Sequence, residues 1–447
     1  MDVNALRPLS GPGRKLFIET YGCQMNVGDS EIVLSILQDV GYRLSSHIED
    51  ADVVLVNTCS VRDNAEQRIW SRMRYFSSIR KRHPIVVGII GCMAERLKEE
   101  LHLAGADVVA GPDSYRRLPS LLDEAFRGHK SIDVELSLEE TYDDVRPVRM
   151  DKNGVSGFIS IMRGCNNFCS YCVVPYTRGR ERSRSVDSIL SEARTLYEAG
   201  YKEITLLGQN VNSYSCEGVS FAKLLGKVAD IADDLRVRFA TSHPKDLSDE
   251  LIEMMARREN ICKAIHLPAQ SGSDVMLERM NRKYTRAWYL ERVRAIRSLM
   301  PQCAISTDLI AGFSGETLED HEATLSLMRE VGYASAFMFK YSMRPGTFAS
   351  RHLADNISEQ EKVRRLNEII ALQNELSLKL AKEDIGKTKR VLIEGDSKRS
   401  PLKQCGRTSQ NRMVVFDSTS MAPGSYVDVK IVDATSATLF GNVVKKY

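Results

Sequence analysis

The stretch Phe158-Ile159-Ser160-Ile161-Met162-Arg163-Gly164-Cys165-Asn166-Asn167-Phe168-Cys169-Ser170-Tyr171-Cys172 runs from a short apolar strand pattern into a C-x3-C-x2-C triplet. Three thiolates on one loop can hold three irons of a four-iron cubane. With no fourth cysteine at close spacing, the last iron is left open to a ligand that is not protein. The competing reading is a zinc site. Structural zinc usually takes four ligands as two C-x2-4-C pairs, and no second close pair occurs in the chain.

Upstream, Cys23, Cys59 and Cys92 share a context, since each ends an apolar, strand-like run, at residues 15–22, 52–58 and 84–91. Helical patterns fill the gaps at 29–39 and 64–81, so the region reads as a doubly wound parallel α/β domain with right-handed crossovers. The carboxyl ends of such strands converge on one edge, where open α/β folds bind ligands. Three converging thiolates without a fourth again describe a cluster with an open iron. Three unrelated buried cysteines would give the same pattern, because free cysteine is commonly buried. Of the other cysteines, Cys262 and Cys303 fall in strand patterns and read as core, while Cys216 and Cys405 lie in polar stretches with no partner pattern.

A chain of 447 residues accommodates about three domains. Residues 1–13 carry no apolar h-region and no run of about 18 apolar residues follows, so the sequence predicts neither secretion nor a membrane span but a cytoplasmic enzyme. Ten cysteines in a reducing compartment point to metal or redox chemistry. The net charge of +3 excludes little by its total and more by its distribution.

Residues 130–150, crowded with Glu135, Glu139, Glu140, Asp143 and Asp144 and ending in Arg146-Pro147, read as a linker. From Val155 six strand-then-helix units follow, with strands at 158–162, 203–207, 236–241, 262–267, 303–307 and 335–341 and helices such as 186–199, 286–299 and 318–331. Six parallel strands make a partial (β/α)6 barrel, and each strand is followed by polar residues: Cys165, Gln209-Asn210, Ser242-His243, Gln270-Ser271, Asp308 and Tyr341-Ser342. A long helix follows, with a capping box at Ser358 and Glu361, an apolar face of Val363, Leu366, Ile369, Ile370, Leu376 and Leu380, and Gly386 to end it. From 385 onward short β-runs at 390–394, 413–416, 426–432 and 439–444, with a Pro423-Gly424 turn, read as a small antiparallel β-barrel. Residues 385–447 hold eleven Lys and Arg against five Asp and Glu, a net of +6, which leaves the rest of the chain net negative. Such a barrel fits RNA binding and mere solubilisation equally.

Taken together, residues 14–447 resemble the methylthiotransferase branch of the radical S-adenosyl-L-methionine (SAM) superfamily. The order of parts is that of the branch: a cluster domain at 14–130, a radical SAM core at 150–382 and a TRAM domain at 385–447. Thr20-Tyr21-Gly22-Cys23-Gln24-Met25-Asn26, Asn57-Thr58-Cys59-Ser60-Val61-Arg62, Gly91-Cys92-Met93-Ala94 and Val173-Val174-Pro175-Tyr176-Thr177-Arg178-Gly179-Arg180-Glu181-Arg182-Ser183-Arg184 are similar to the MiaB group of bacterial tRNA methylthiotransferases. Leu207-Gly208-Gln209-Asn210-Val211, His266-Leu267-Pro268 and Gln270-Ser271-Gly272-Ser273 add to the match. Ala269, Ser314 and Met343 depart from it, where leucine, proline and proline are expected.

The resemblance implies methylthiolation of carbon 2 of isopentenyladenosine at position 37 of tRNA, beside the anticodon. It implies two [4Fe-4S] clusters and two SAM molecules. One SAM methylates sulfur on the auxiliary cluster of Cys23, Cys59 and Cys92; the other is cleaved at the cluster of Cys165, Cys169 and Cys172, and its radical takes hydrogen from the adenine. Tyr171 is expected to pack on the SAM adenine, and Gln209, Ser242 and Gln270 to make polar contacts to SAM. Arg178, Arg180, Arg182 and Arg184 form a cationic run suited to tRNA phosphates. Expected partners are the tRNA anticodon stem-loop and a reducing electron donor such as flavodoxin or ferredoxin, with no membrane and a monomeric chain. The alternative is a methylthiotransferase acting on threonylcarbamoyladenosine in tRNA or on a ribosomal-protein aspartate, against which Gln24-Met25-Asn26 and Ser60-Val61-Arg62 argue.

Overall fold

The computed structural model describes residues 13–60, 63–150 and 154–447; Val61 and Arg62 of the second cysteine motif, the start of the chain before Gly13, and 151–153 at the expected domain boundary lie outside the described residues. The chain divides into two compact units. The first takes positions up to 150 together with Met162–Asn166 and Cys172–Arg184. The second takes Asn167–Tyr171, Ser185–Tyr447 and the strand that ends before Met162.

The first unit is a doubly wound α/β domain. Its elements are β1 (Lys15–Tyr21), α1 (Gln24–Asp39), β2 (Arg43–Leu44), β3 (Val53–Thr58), α2 (Asp63–Arg80), β4 (Val86–Gly91), α3 (Cys92–Arg96), α4 (Lys98–Leu103), β5 (Val108–Ala110), α5 (Leu118–Phe126) and β6 (Ser131–Asp133). The strands form one parallel sheet in the order β2-β1-β3-β4-β5-β6. Every residue of β3 and β4 is buried, as an unbroken apolar run requires of a parallel strand covered on both faces. One face packs Leu16, Leu55 and Ile90 against α1 and α5, and the other packs Val54, Val56 and Ile89 against Ile69, Met73 and Phe76 of α2.

The stretch 130–150 is not a loose linker. It supplies β6 and then straps the unit: Tyr142 is buried and stacks on Tyr115 at 5.6 Å, while Val145, Val148 and Met150 pack on the core. Of the acidic residues in this stretch, Glu140 and Asp144 both pair with Arg116. The short strands β2, β5 and β6 also escape the sequence pattern, being too brief for a period to register.

The chain then passes through β7 (Ser156–Ser160) of the second unit. It returns to the first with β8 (Met162–Arg163), α6 (Val174–Thr177) and β9 (Arg182–Ser183), β8 pairing antiparallel with β9. The rest belongs to the second unit: α7 (Val186–Glu198), β10 (Glu203–Leu207), β11 (Ser215–Cys216), β12 (Val219–Ser220), α8 (Phe221–Ala229), β13 (Arg236–Phe239), α9 (Asp249–Arg257), β14 (Ala264–His266), α10 (Asp274–Arg279), α11 (Arg286–Leu299), β15 (Ala304–Ala311), α12 (Leu318–Val331), β16 (Ser335–Lys340), α13 (Phe348–His352) and α14 (Glu359–Lys382). All helices from α7 to α14 start on a Ser or Thr whose side chain accepts the backbone N–H three residues on, which satisfies a donor the helix itself cannot.

The six expected barrel strands are present, as two three-stranded parallel sheets, β13-β10-β7 and β14-β15-β16. A lone Val237–Ile261 bridge spans the break between β13 and β14. Cys262 and Cys303 are buried as expected, but Cys216 sits in the β11–β12 hairpin rather than a loop. β15 runs on to Ala311, so Asp308 stands within the strand and not after it.

The buried face of α14 differs from the expected apolar one. Val363 is exposed, and the helix turns Lys362, Arg365, Ile369, Gln373 and Ser377 inward. Lys362 reaches Asp355 at 2.7 Å and Arg365 reaches Glu316 at 2.7 Å. Gln373 and Ser377 donate to the carbonyls of Tyr333 and Ala334 just before β16. Satisfied polar groups bury readily, and hydrophobic periodicity does not see them. Ser358 caps the helix, while Glu361 turns its carboxylate to Arg364 and Arg365 instead of back to the cap.

The chain ends in a closed antiparallel barrel of β17 (Thr388–Ser397), β18 (Ser400–Thr408), β19 (Met413–Asp417), β20 (Tyr426–Ala434) and β21 (Thr438–Lys446), in the order β17-β18-β19-β21-β20 with one parallel pair, β19 and β21. The polar strand β18, which carries Cys405, has no strand pattern in the sequence. Its buried Gln404 is held by the Met421 carbonyl and by Thr419. The barrel is fastened to the six-strand core: Arg236 donates to the Arg407 carbonyl at 2.7 Å, and Arg238 donates to the Thr408 carbonyl at 2.7 Å while pairing with buried Glu203. No helix among the described residues is long and apolar enough to cross a membrane.

Candidate functional site

In the first unit, strand register places the cysteines. In the last row of β1, β3 and β4, Thr58 is flanked by Tyr21 on one side and Gly91 on the other. Cys59 and Cys92 come one residue past that row and Cys23 two past it, so three residues far apart in sequence share one sheet edge. The order β2-β1-β3 reverses the winding between β1 and β3, which makes their carboxyl ends the switch point where such folds place ligands.

Close backbone approach there depends on glycine. A Cβ on Gly22, at φ +138°, would stand 2.5 Å from Cys59 Cβ, and one on Gly91, at φ +92°, 2.5 Å from Asn57 Oδ1. Asn26 links the turns by accepting from Cys23 Sγ at 3.2 Å and donating to Asn57 Oδ1 at 2.9 Å.

The electrostatics of the three thiols differ. A hydrogen bond from Cys59, helped by the nearby Arg178 charge, brings the Cys23 thiol down to about 6. Burial pushes Cys92 up even though Arg178 Nε donates to its sulfur at 3.0 Å. Arg178 Nη2 in turn donates to Asp29 at 2.6 Å, and Arg163 Nη1 to the same carboxylate at 2.9 Å. Burial disfavours charge on Asp29, yet the two guanidiniums hold its carboxyl below the ordinary range. Arg182 grips Asp113 bidentately at 2.9 and 3.1 Å.

These pairs correct one expectation. Arg178, Arg182 and Arg184 are buried, the last beside Asp143, so they bind carboxylates and not tRNA phosphates; of that run Arg180 alone is exposed. The run looked available to phosphates because its acidic partners lie far away in sequence.

Several polar atoms here are buried without a hydrogen-bond partner among the described residues: Thr58 Oγ1 and Ser60 Oγ on either side of Cys59, Thr177 Oγ1, and Arg178 Nη1. Buried donors are normally satisfied, so this edge suits a group rich in sulfur acceptors. No three His, Cys, Asp or Glu side chains among the described residues crowd closely enough to grip one metal ion. A cubane asks less crowding, because each thiolate binds a different iron.

The second triplet is divided, with Cys165 and Cys172 in the first unit and Cys169 in the second. Within the first unit the Cys165 N–H donates to the Gly179 carbonyl at 3.1 Å. Within the second, Cys169 is buried and accepts from Arg282 Nη1 at 3.2 Å. Tyr171 lies edge-on to Phe313 with centroids 6.4 Å apart, against a small cluster that includes Met276, Met280 and Tyr341.

Of the residues expected to touch SAM, Ser242 follows β13, and its hydroxyl is buried without a partner. Gln209 lies just past β10 and is half-buried. Gln270 is buried at φ +68°, with its backbone bridged to β15. His243 was not among the candidates, although its neighbour was. Burial, then the charges of Arg282 and Lys245, lower its imidazole to about 2. It is therefore neutral, and its Nε2 is buried and unpartnered.

One face of β14, β15 and β16 gathers His266, Asp308, Phe337 and Phe339. His266 Nε2 stands 3.4 Å from Asp308, its ring meets Phe337 edge-on at 5.8 Å, and Asp308 is the register partner of Phe337. Phe337 is 55% and Phe339 42% exposed, whereas Ile305, Thr307 and Leu309 of β15 are buried on the opposite face.

Comparison with known proteins agrees with this architecture. Residues 15–111 match an uncharacterized protein family, UPF0004, residues 159–328 the radical SAM superfamily and residues 382–444 the TRAM domain. A tRNA-2-methylthio-N(6)-dimethylallyladenosine synthase from Parabacteroides distasonis is 60% identical over 439 residues, covering 97% of this chain and 96% of that one. Synthases of the same name from Porphyromonas gingivalis and Bacteroides thetaiotaomicron are 59% and 57% identical, covering 97% and 96% of this chain and 95% and 96% of theirs.

The chain belongs to the tRNA-2-methylthio-N(6)-dimethylallyladenosine synthase family. It is an enzyme, a radical SAM methylthiotransferase with the three-part α/β, partial-barrel and β-barrel architecture of that family. Among solved structures, the radical S-adenosylmethionine methyltransferase TsrM from Kitasatospora setae aligns with a TM-score of 0.59 at 15% identity, covering 75% of each chain. The cobalamin-dependent S-adenosylmethionine radical enzyme OxsB aligns at 0.54 and 13%, covering 81% of this chain and 56% of that one. At such identities the likeness is one of fold.

Proposed function

We propose that this methylthiotransferase adds a methylthio group to carbon 2 of isopentenyladenosine at position 37 of tRNA, next to the anticodon. The observation that carries the reading is the register row Tyr21, Thr58 and Gly91, which delivers Cys23, Cys59 and Cys92 together at the switch point of the sheet. The relatives' shared name supplies the substrate.

Cys23, Cys59 and Cys92 would hold one [4Fe-4S] cluster, and Cys165, Cys169 and Cys172 a second with SAM on its open iron; when bound, these groups supply the transferred sulfur and the one-electron cleavage of SAM. The residues of the chain do the rest. Ser242 and the neutral His243 offer buried, unpartnered polar atoms for SAM, and Gln209, Gln270 and Tyr171 are assigned the same role. Phe337 and Phe339 give an apolar surface for the isopentenyl group, and the His266–Asp308 pair beside them offers polar atoms to an adenine edge. A threonylcarbamoyl carboxylate placed against Phe337 and Phe339 would be costly to bury unpaired. The basic carboxyl-terminal barrel and exposed Arg180 suit tRNA phosphates, and the reduction calls for a donor such as flavodoxin or ferredoxin in the cytoplasm.

The test is turnover by cluster-reconstituted enzyme on anticodon stem-loops, read by nucleoside mass spectrometry. Product is expected from isopentenyladenosine RNA and little from unmodified or threonylcarbamoyl RNA. Preference for the threonylcarbamoyl form, or for a ribosomal-protein substrate, would overturn the assignment.

A further inference from the structure

Two arginines are buried against cysteine sulfur, one at each triplet. Arg282, 3% exposed, donates from Nη1 to Cys169 Sγ at 3.2 Å, from Nη2 to the Pro268 carbonyl at 2.8 Å and from Nε to Tyr284 Oη at 3.1 Å, with Tyr171 Oη 3.4 Å away. Among the described residues no carboxylate pairs with it. A buried guanidinium without a counter-charge is costly, so the site calls for negative charge, and the sulfur that Nη1 faces is where a cluster would bring it.

Arg178, also 3% exposed, repeats the arrangement in the first unit: Nε donates to Cys92 Sγ at 3.0 Å, Nη2 to Asp29 at 2.6 Å, and Nη1 is buried without a partner. Asp29 is shared with Arg163, and Asp113 takes Arg182, so three buried arginines face two aspartates. The surplus positive charge and the idle donor both belong to the cluster of groups that touches Cys92.

We propose that Arg178 and Arg282 are positioning residues, each giving a buried N–H and a fixed positive charge to one ligand cysteine, Cys92 and Cys169 respectively, and thereby setting the reduction potential of the cluster at its own site. The inference rests on the reading that each triplet holds a four-iron cluster. When such a cluster takes one electron from an external reductant, its charge becomes one unit more negative. Positive charge and hydrogen bonds to ligand sulfur favour that state and raise the potential. Because Arg178 donates to a sulfur of one triplet and Arg282 to a sulfur of the other, the two potentials are set separately.

The test is an anaerobic, EPR-monitored redox titration of the full-length protein. Iron and sulfide content of the unsubstituted protein comes first: fewer than two clusters per chain would count against the two-cluster reading itself, before any arginine variant is read. Each cluster is then titrated alone, in backgrounds where the other triplet is alanine. Arg282→Gln is expected to move the loop-triplet cluster to a more negative midpoint and leave the other unchanged; Arg178→Gln should do the reverse. Arg178→Lys and Arg282→Lys should recover much of each shift. Unchanged midpoints in the glutamine variants, or equal shifts of both clusters, would overturn the proposal. If a glutamine variant holds no cluster, its lysine counterpart decides: recovery of cluster and midpoint supports the role, and a lysine variant as defective as glutamine refutes it.

Discussion

The two cysteine triplets are assembled by opposite means. Cys165, Cys169 and Cys172 sit within one short loop, so their proximity is a property of the local chain. Cys23, Cys59 and Cys92 are spread over three strand ends and meet only because β1, β3 and β4 align in register. A local triplet needs only a loop of the right shape. A distributed one needs the sheet, the glycines that let turns approach, and a buried polar base. The first should fail by loss of ligands alone; the second should also fail by small distortions of its scaffold.

The largest expected effect separates the two chemistries. Replacing Cys165, Cys169 or Cys172 with alanine should remove about one four-iron cluster, on the one-triplet, one-cluster reading, and abolish both SAM cleavage and product. Cys23→Ala, Cys59→Ala or Cys92→Ala should leave deoxyadenosine formation in place while methylthio product disappears. Product from any auxiliary-site variant would break the comparison.

Next is the scaffold itself. Gly22→Ala or Gly91→Ala forces a Cβ to 2.5 Å from its neighbour at positive φ, and should destabilise the protein by about 1–3 kcal/mol. Iron should be lost from the auxiliary site first, with the loop triplet retained. Denaturant melts and iron content of each variant check this, and equal loss at both sites would remove the distinction.

The carboxyl-terminal barrel is tested better by charge than by truncation. Removing it would strip the Thr408 and Arg407 carbonyls from buried Arg238 and Arg236, so weaker affinity could reflect lower stability. Exposed Lys398, Arg399 and Lys403 can instead be changed to Gln in the full chain. For every lysine or arginine that neutralises a phosphate, its replacement should lower the salt dependence of tRNA binding by about one unit of slope. Identical slopes would return the barrel's charge to solubilisation.

The smallest effect concerns the face proposed to meet the isopentenyl group. Phe337→Ala should raise KM for isopentenyl RNA by roughly tenfold, as removal of an apolar surface worth about 1–3 kcal/mol implies, and leave SAM cleavage without RNA unaltered. An unchanged ratio between isopentenyl and unmodified RNA would place the isopentenyl group elsewhere.

Sequence alone determined the local facts: the loop triplet, the apolar strands that each end at a cysteine, the six strand-helix units and the Ser358 helix cap. Each depends on residues a few positions apart, where spacing and chemistry are readable together. Only the tertiary structure decided that Tyr21, Thr58 and Gly91 share a row, that 130–150 is a strap, that α14 buries a polar face and that β18 closes the barrel. Only it showed Arg178 and Arg182 paired with Asp29 and Asp113, and Arg282 set against Cys169. The reason is physical. A polar or charged side chain reads as solvated until its partner is known, and here the partners lie from tens of residues to well over a hundred away, so their pairing is a property of the folded chain and of no single stretch.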